Sequence, residues 1–68
     1  MNVRKLRAAT VEAGYTQVSL AKAMGMSKNT VNAMLNGRRK MYVDEACKIC
    51  SLLNITSDEK KVEIFLSE

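Results

Sequence analysis

Residues 17–40 read QVSLAKAMGMSKNTVNAMLNGRRK. Small or apolar side chains recur at Leu20, Ala21, Met24, Met26, Val31 and Met34. That is helical spacing on both sides of Gly25, the pattern of a tight corner between two helices. At such a corner Ala21 has to be small because the next helix crosses close by. Gly25 has to take a positive φ, and the methionines with Val31 close the underside. Thr16 and Ser27 stand where N-caps belong, and Gly37 stands where the second helix should stop. The corner, about residues 16–37, leaves that second helix standing proud of whatever it is packed against.

Three further helices are expected around it. The first runs from about Val3 to Ala13, with Val3, Leu6, Thr10 and Ala13 on one stripe, Arg4 and Lys5 facing water, and Gly14 as the stop. The fourth, about Val43 to Leu53, opens with Asp44 and Glu45 at the positive end of its dipole. It buries Ala46, Ile49 and Leu53, and Asn54 closes it. Ser57 caps the fifth, whose inward stripe is read as Val62, Phe65 and Leu66, with Ile64 pointing away. The absence of Pro and the abundance of Ala, Leu, Met, Lys and Glu agree with helices throughout. The expected fold is therefore all-α, a compact bundle of five short helices forming one domain over residues 1–68.

A chain of 68 residues buries only about 60% of its unfolded surface on folding, so its stability will be modest. No apolar run approaches the roughly 18 residues that span a bilayer, and the start lacks the apolar core of a signal peptide. No membrane partner and a cytoplasmic location are expected. The net charge is +4, but its distribution says more. Residues 1–41 carry eight cations against Glu12 alone, and residues 42–68 carry three against six carboxylates. A chain that is positive at one end and negative at the other is oriented toward a polyanion, most often nucleic acid.

The face of the third helix opposite Val31, Met34 and Leu35 consists of Asn29, Asn32, Ala33 and Asn36, with Lys28 at its N-terminal edge. Short amides are weak helix formers, so an ordinary solvent face would favour Glu or Lys. They suit base edges. Asn can bond N6 and N7 of adenine, Lys can reach guanine O6 and N7, and Ala33 can touch a thymine methyl. Lys28, Asn29, Asn32 and Ala33 are therefore the candidate base readers of double-stranded DNA. Gln17, Ser27, Thr30, Asn36, Arg38, Arg39 and Lys40 are the candidate phosphate donors.

The span from Leu6 to about Ile55 resembles the lambda-repressor-like family, the phage repressor and Cro type of helix-turn-helix domain. The residues YTQVSLAKAMGMSKNTVNAMLNGRR carry the resemblance, with Thr16-Gln17, Leu20-Ala21, Met24-Gly25-Met26, Ser27, Thr30-Val31 and Asn36-Gly37 where that family places such types. The resemblance implies four or five helices with the third in the major groove. It implies that Gln17 holds a phosphate and braces the side chain at Lys28, that Lys28, Asn29 and Asn32 face bases, and that Asn36 with the basic loop binds the flanking backbone. Many members have an Arg where Thr10 stands and a Glu where Leu35 stands, forming a buried pair. Both are missing here, which points to an apolar replacement. Members also often carry Pro where Met41 or Tyr42 sits.

Other signals lead nowhere functional. Cys47 and Cys50 are too few for zinc in a chain without His. They fall mid-helix, unlike a redox pair, and are read as packing thiols. Tyr15 is assigned to the core, and Tyr42 is open between a phosphate contact and a half-buried helix start. No metal or cofactor is expected, and no catalytic constellation can be assembled, so the chain is not an enzyme. The reading is a sequence-specific transcriptional regulator, a repressor that binds DNA as a homodimer. The dimer would use the fourth and fifth helices or the loop between them, with Ile55, Ile64 and Phe65 as candidates. The alternative is an antitoxin or co-regulator whose acidic C-terminal half binds a protein partner.

Overall fold

Each helix begins on a side-chain cap or a back-turned carboxylate, and four of the five end on the same backbone motif. The computed structural model describes residues 1–66. In order these are α1 (Val3–Glu12), α2 (Gln17–Met24), α3 (Lys28–Leu35), α4 (Val43–Leu52) and α5 (Asp58–Lys61), which runs on into a π-helical turn, Val62–Leu66. Among the described residues there is no strand, and the fold is an all-α bundle. Asn2, Thr16, Ser27 and Ser57 each accept the N–H three residues on, satisfying one of the donors a helix start leaves open.

The stops are equally uniform. After α1, α2, α3 and α4 the chain passes through a left-handed residue at Gly14, Gly25, Gly37 and Asn54. The residue after it reaches back to the last turn, as in Tyr15 N–H to Thr10 O, Met26 to Ala21, Arg38 to Ala33 and Ile55 to Cys50. This is the Schellman stop. In three cases the residue after the left-handed one is apolar and packs on the core: Tyr15, Met26 and Ile55. In the fourth it is Arg38, which is exposed. The chain therefore folds back onto the core after α1, α2 and α4 but carries its basic loop into solvent after α3.

The core gathers Leu6, Leu20, Ala21, Met24, Val31, Met34, Leu35, Ile49 and Leu53. Ala21 is buried, and α2 packs on α3. Thr10 is buried, and its hydroxyl donates to the Leu6 carbonyl at 2.9 Å. Leu35 is buried as well, so the α1–α3 contact is apolar in place of an ion pair. Arg7 adds a tie, its Nε donating to the Leu35 carbonyl at 3.1 Å, one of the acceptors that the end of α3 leaves unpaired. Tyr15 packs against the core as expected.

Several expectations are corrected. Ala13 is exposed and Ala9 takes its place in the core; Ala46 is only half-buried. The last helix is turned from the expected facing: Phe65 packs on the core as expected, but Ile64 takes the place of Val62 and Leu66. Ile64 is 3% exposed, whereas Val62 is 50% and Leu66 80% exposed. Four of the five residues Val62–Leu66 are apolar, so periodicity sets no phase there. The phase is decided by docking on α1, where the Asn2 N–H donates to the Ile64 carbonyl at 2.6 Å. Ile55 is buried too, which removes both isoleucines as candidate dimer contacts. Cys47 is exposed and only Cys50 is buried, so one thiol packs, not two. Burial pushes the Cys50 thiol up from its ordinary value. Among the described residues no helix is long and apolar enough to cross a membrane.

Candidate nucleic-acid interface

The corner sets α3 with its apolar side down and its amides outward. Lys28 and Asn29 are exposed in the first turn, and Asn32, Ala33 and Asn36 are half-buried along the same face. Ser27 caps the helix through the Thr30 N–H at 3.1 Å, and its Oγ lies 2.9 Å from the Thr30 hydroxyl. These two hydroxyls form one polar edge beside Lys28.

Gln17 is the first residue of α2, held there by the reciprocal cap in which Thr16 Oγ1 accepts the Ser19 N–H at 3.1 Å and Ser19 Oγ accepts the Thr16 N–H at 2.9 Å. The N–H groups of Gln17 and Val18 have no acceptor within the helix, which makes this end of α2 suited to a phosphate. The Gln17 side chain does not brace Lys28. Its Nε2 donates to Asn32 Oδ1 at 3.3 Å. Asn36, one turn further along α3, donates from Nδ2 to the same oxygen at 2.8 Å. Three of the candidate residues are thereby joined through one atom. Asn32, one turn beyond Lys28, presents the acceptor that the Gln17 amide nitrogen takes.

The basic loop is held from α4. Arg39 donates from its two terminal nitrogens to Glu45, 2.9 Å to Oε1 and 3.1 Å to Oε2, and its guanidinium carbon sits 5.7 Å from the centre of the Tyr42 ring. Glu45 also accepts the Tyr42 N–H at 3.0 Å, so one carboxylate caps α4 and clamps the loop. The hydrogen bond from Arg39, followed by that from the Tyr42 N–H, holds the Glu45 carboxyl below its ordinary value, and the same Arg39 contact raises the guanidinium. Arg38 and Lys40 on either side are exposed. Tyr42 is 61% exposed, more open than a half-buried helix start, with its ring beneath Arg39.

Two residues that sequence reasoning passed over contribute here. Glu45 stands three residues after the cap position of α4, a recognisable capping spacing, but nothing in the sequence ties it to Arg39. Arg7 looks like an ordinary solvated cation, and only the approach of α1 to the end of α3 gives it a partner. Among the described residues no group of three or more His, Cys, Asp or Glu side chains is placed to hold a metal.

A family model described as helix-turn-helix matches residues 3–60, nearly the whole chain. The chain belongs to the helix-turn-helix family. With the family comes the general role of a DNA-binding regulator of transcription, and DNA as its partner. No curated protein and no solved structure matches the chain. The helix-turn-helix matched by the family model contains the whole of the α2–α3 corner and the basic loop.

Proposed function

We propose that this helix-turn-helix protein is a sequence-specific repressor that sets α3 into the major groove of double-stranded DNA and binds as a homodimer. The observation that carries the reading is the face of α3, where Lys28, Asn29, Asn32, Ala33 and Asn36 stand together without an acidic side chain among them. Lys28, Asn29, Asn32 and Ala33 read base edges. Gln17, Ser27, Thr30, Asn36, Arg38 and Lys40 bond phosphates on the two flanks and set the register. Arg39 has its terminal nitrogens committed to Glu45, so it acts on DNA chiefly by fixing the loop that presents Arg38 and Lys40.

The homodimer follows from the small number of base contacts one short helix can make. Two copies of α3 spaced by roughly 34 Å multiply discrimination against genomic competitor DNA. With Ile55 and Ile64 buried, self-association through α4 and the last helix would use the apolar residues that line the groove between α4 and the π turn, Val43, Val62, Phe65 and Leu66. The same groove would serve a protein partner in an antitoxin or co-regulator.

Fluorescence anisotropy with a labelled mixed-sequence duplex at several salt concentrations tests the reading. The logarithm of the association constant should fall by about 0.9 per phosphate contact for each tenfold rise in salt. No binding at low salt would sink it.

A further inference from the structure

The three linked amides fix what Asn32 can ask of a base. A carbonyl oxygen has two lone pairs, and Asn32 Oδ1 accepts from both Gln17 Nε2 at 3.3 Å and Asn36 Nδ2 at 2.8 Å. That oxygen is filled. The usual pairing of Asn with adenine needs the oxygen to accept from N6 while the nitrogen donates to N7, and the first half of it is closed here. Asn32 Nδ2 makes no hydrogen bond among the described residues, and no polar side-chain atom is buried there without a partner. That nitrogen is therefore not sealed from solvent, and Asn32 lies on the face of α3 that carries Lys28 and Asn29.

An outward NH2 with its oxygen sequestered is a donor and nothing else. Of the four bases, guanine presents two acceptors side by side in the major groove, N7 and O6. Thymine presents O4 only, adenine sets a donor beside its N7, and cytosine presents the N4 donor. We propose that Asn32 is a guanine-selecting residue, and that Gln17 and Asn36 are positioning residues which hold its amide in the donating orientation. This rests on the reading of α3 as the major-groove helix. It extends that reading, because it assigns a base to one position and gives Gln17 a role apart from phosphate binding.

Selection from a randomised duplex pool with the wild type and with Asn32→Ala identifies the base pair that answers to residue 32, since preference there disappears in the variant. The expected base is guanine, preferred by about tenfold, within the range one good base contact supplies. Replacing that guanine by 7-deazaguanine, which lacks the N7 acceptor, should weaken the wild type several-fold and leave Asn32→Ala unchanged. Gln17→Ala and Asn36→Ala should broaden the preference at this position while preserving the preferences at the positions read by Lys28 and Asn29. A role in scaffolding alone would lower affinity at every position equally.

An A·T pair at the Asn32 position overturns the proposal, because a lone acceptor, adenine N7 or thymine O4, would then decide the preference; so does a G·C pair whose recognition survives 7-deazaguanine, because Asn32 would then be reading cytosine N4 with its oxygen and all three amides would be reversed. So does an Asn32→Ala variant that selects the same sequence as the wild type. A wild type that binds DNA with the expected salt dependence but enriches no base overturns this assignment while sparing the DNA surface. A wild type that binds no DNA at any salt concentration removes the surface itself.

Discussion

At the scale of single residues, Arg7 and Glu45 do work that their neighbours in the chain do not announce. Arg7 closes the end of α3 through the Leu35 carbonyl. Arg7→Ala should cost about 1 kcal/mol of stability, the usual size of one such bond, read from the urea midpoint at unchanged slope. Glu45 has a sharper signature. Its carboxyl is held low in the folded state by Arg39 and the Tyr42 N–H, so the stability it contributes is present above the unfolded carboxylate range, about pH 4.3. That contribution is lost as pH falls through the lower folded value. In an acid titration of unfolding free energy, Glu45→Gln should flatten the decline below about pH 4 relative to the wild type. A variant with the same slope as the wild type would mean that the clamp contributes nothing in solution.

At the scale of elements, most of what is decided within a few residues was legible in the sequence. The caps at Thr16, Ser27 and Ser57, the left-handed stops at Gly14, Gly25, Gly37 and Asn54, and the inward stripes of α2 and α3 all follow from local chemistry, and the structure has them. Gly37 has a feature that was not legible: a Cβ there would lie 3.2 Å from Val3 Cγ1, a tight contact from which the Val3 side chain would have to give by a few tenths of an ångström. The facing of the last helix was misread because Val62, Ile64, Phe65 and Leu66 surround the axis and only contact with α1 selects among them. The link from Gln17 to Asn32 likewise depends on the crossing of α2 and α3, which spacing implies but does not dimension.

The cap of α3 allows stability and recognition to be separated. Asp is as good an N-cap as Ser, but its charge would face the phosphates assigned to this edge. Ser27→Asp should therefore leave the urea midpoint within about 0.5 kcal/mol of the wild type and still weaken binding to every duplex in anisotropy. Equal binding by the variant would take Ser27 and Thr30 out of the phosphate set.

At the scale of the whole molecule, the protein that carries the cationic corner also presents an apolar groove along α4. Val43, 81% exposed, lies on the groove between α4 and the π turn, and its substitution should not disturb the core. Val43→Lys is expected to keep the thermal midpoint while shifting sedimentation equilibrium toward the monomer. It should lower affinity for a two-half-site operator more than for a single half-site. An unchanged association state would leave the groove to a different protein. The hydrogen bond from Asn2 to Ile64 has a further consequence, in the order of events during folding. It joins positions about 60 residues apart, and closing so long a loop gains nothing until both ends have structure. The corner of α2 and α3, made of contacts close in sequence, can assemble well before that closure. Docking of the π turn on α1 then comes after the rate-limiting step. Ile64→Ala should accordingly speed unfolding and leave the folding rate nearly unchanged, so the C-terminal turn governs how long the folded protein lasts far more than how quickly it forms.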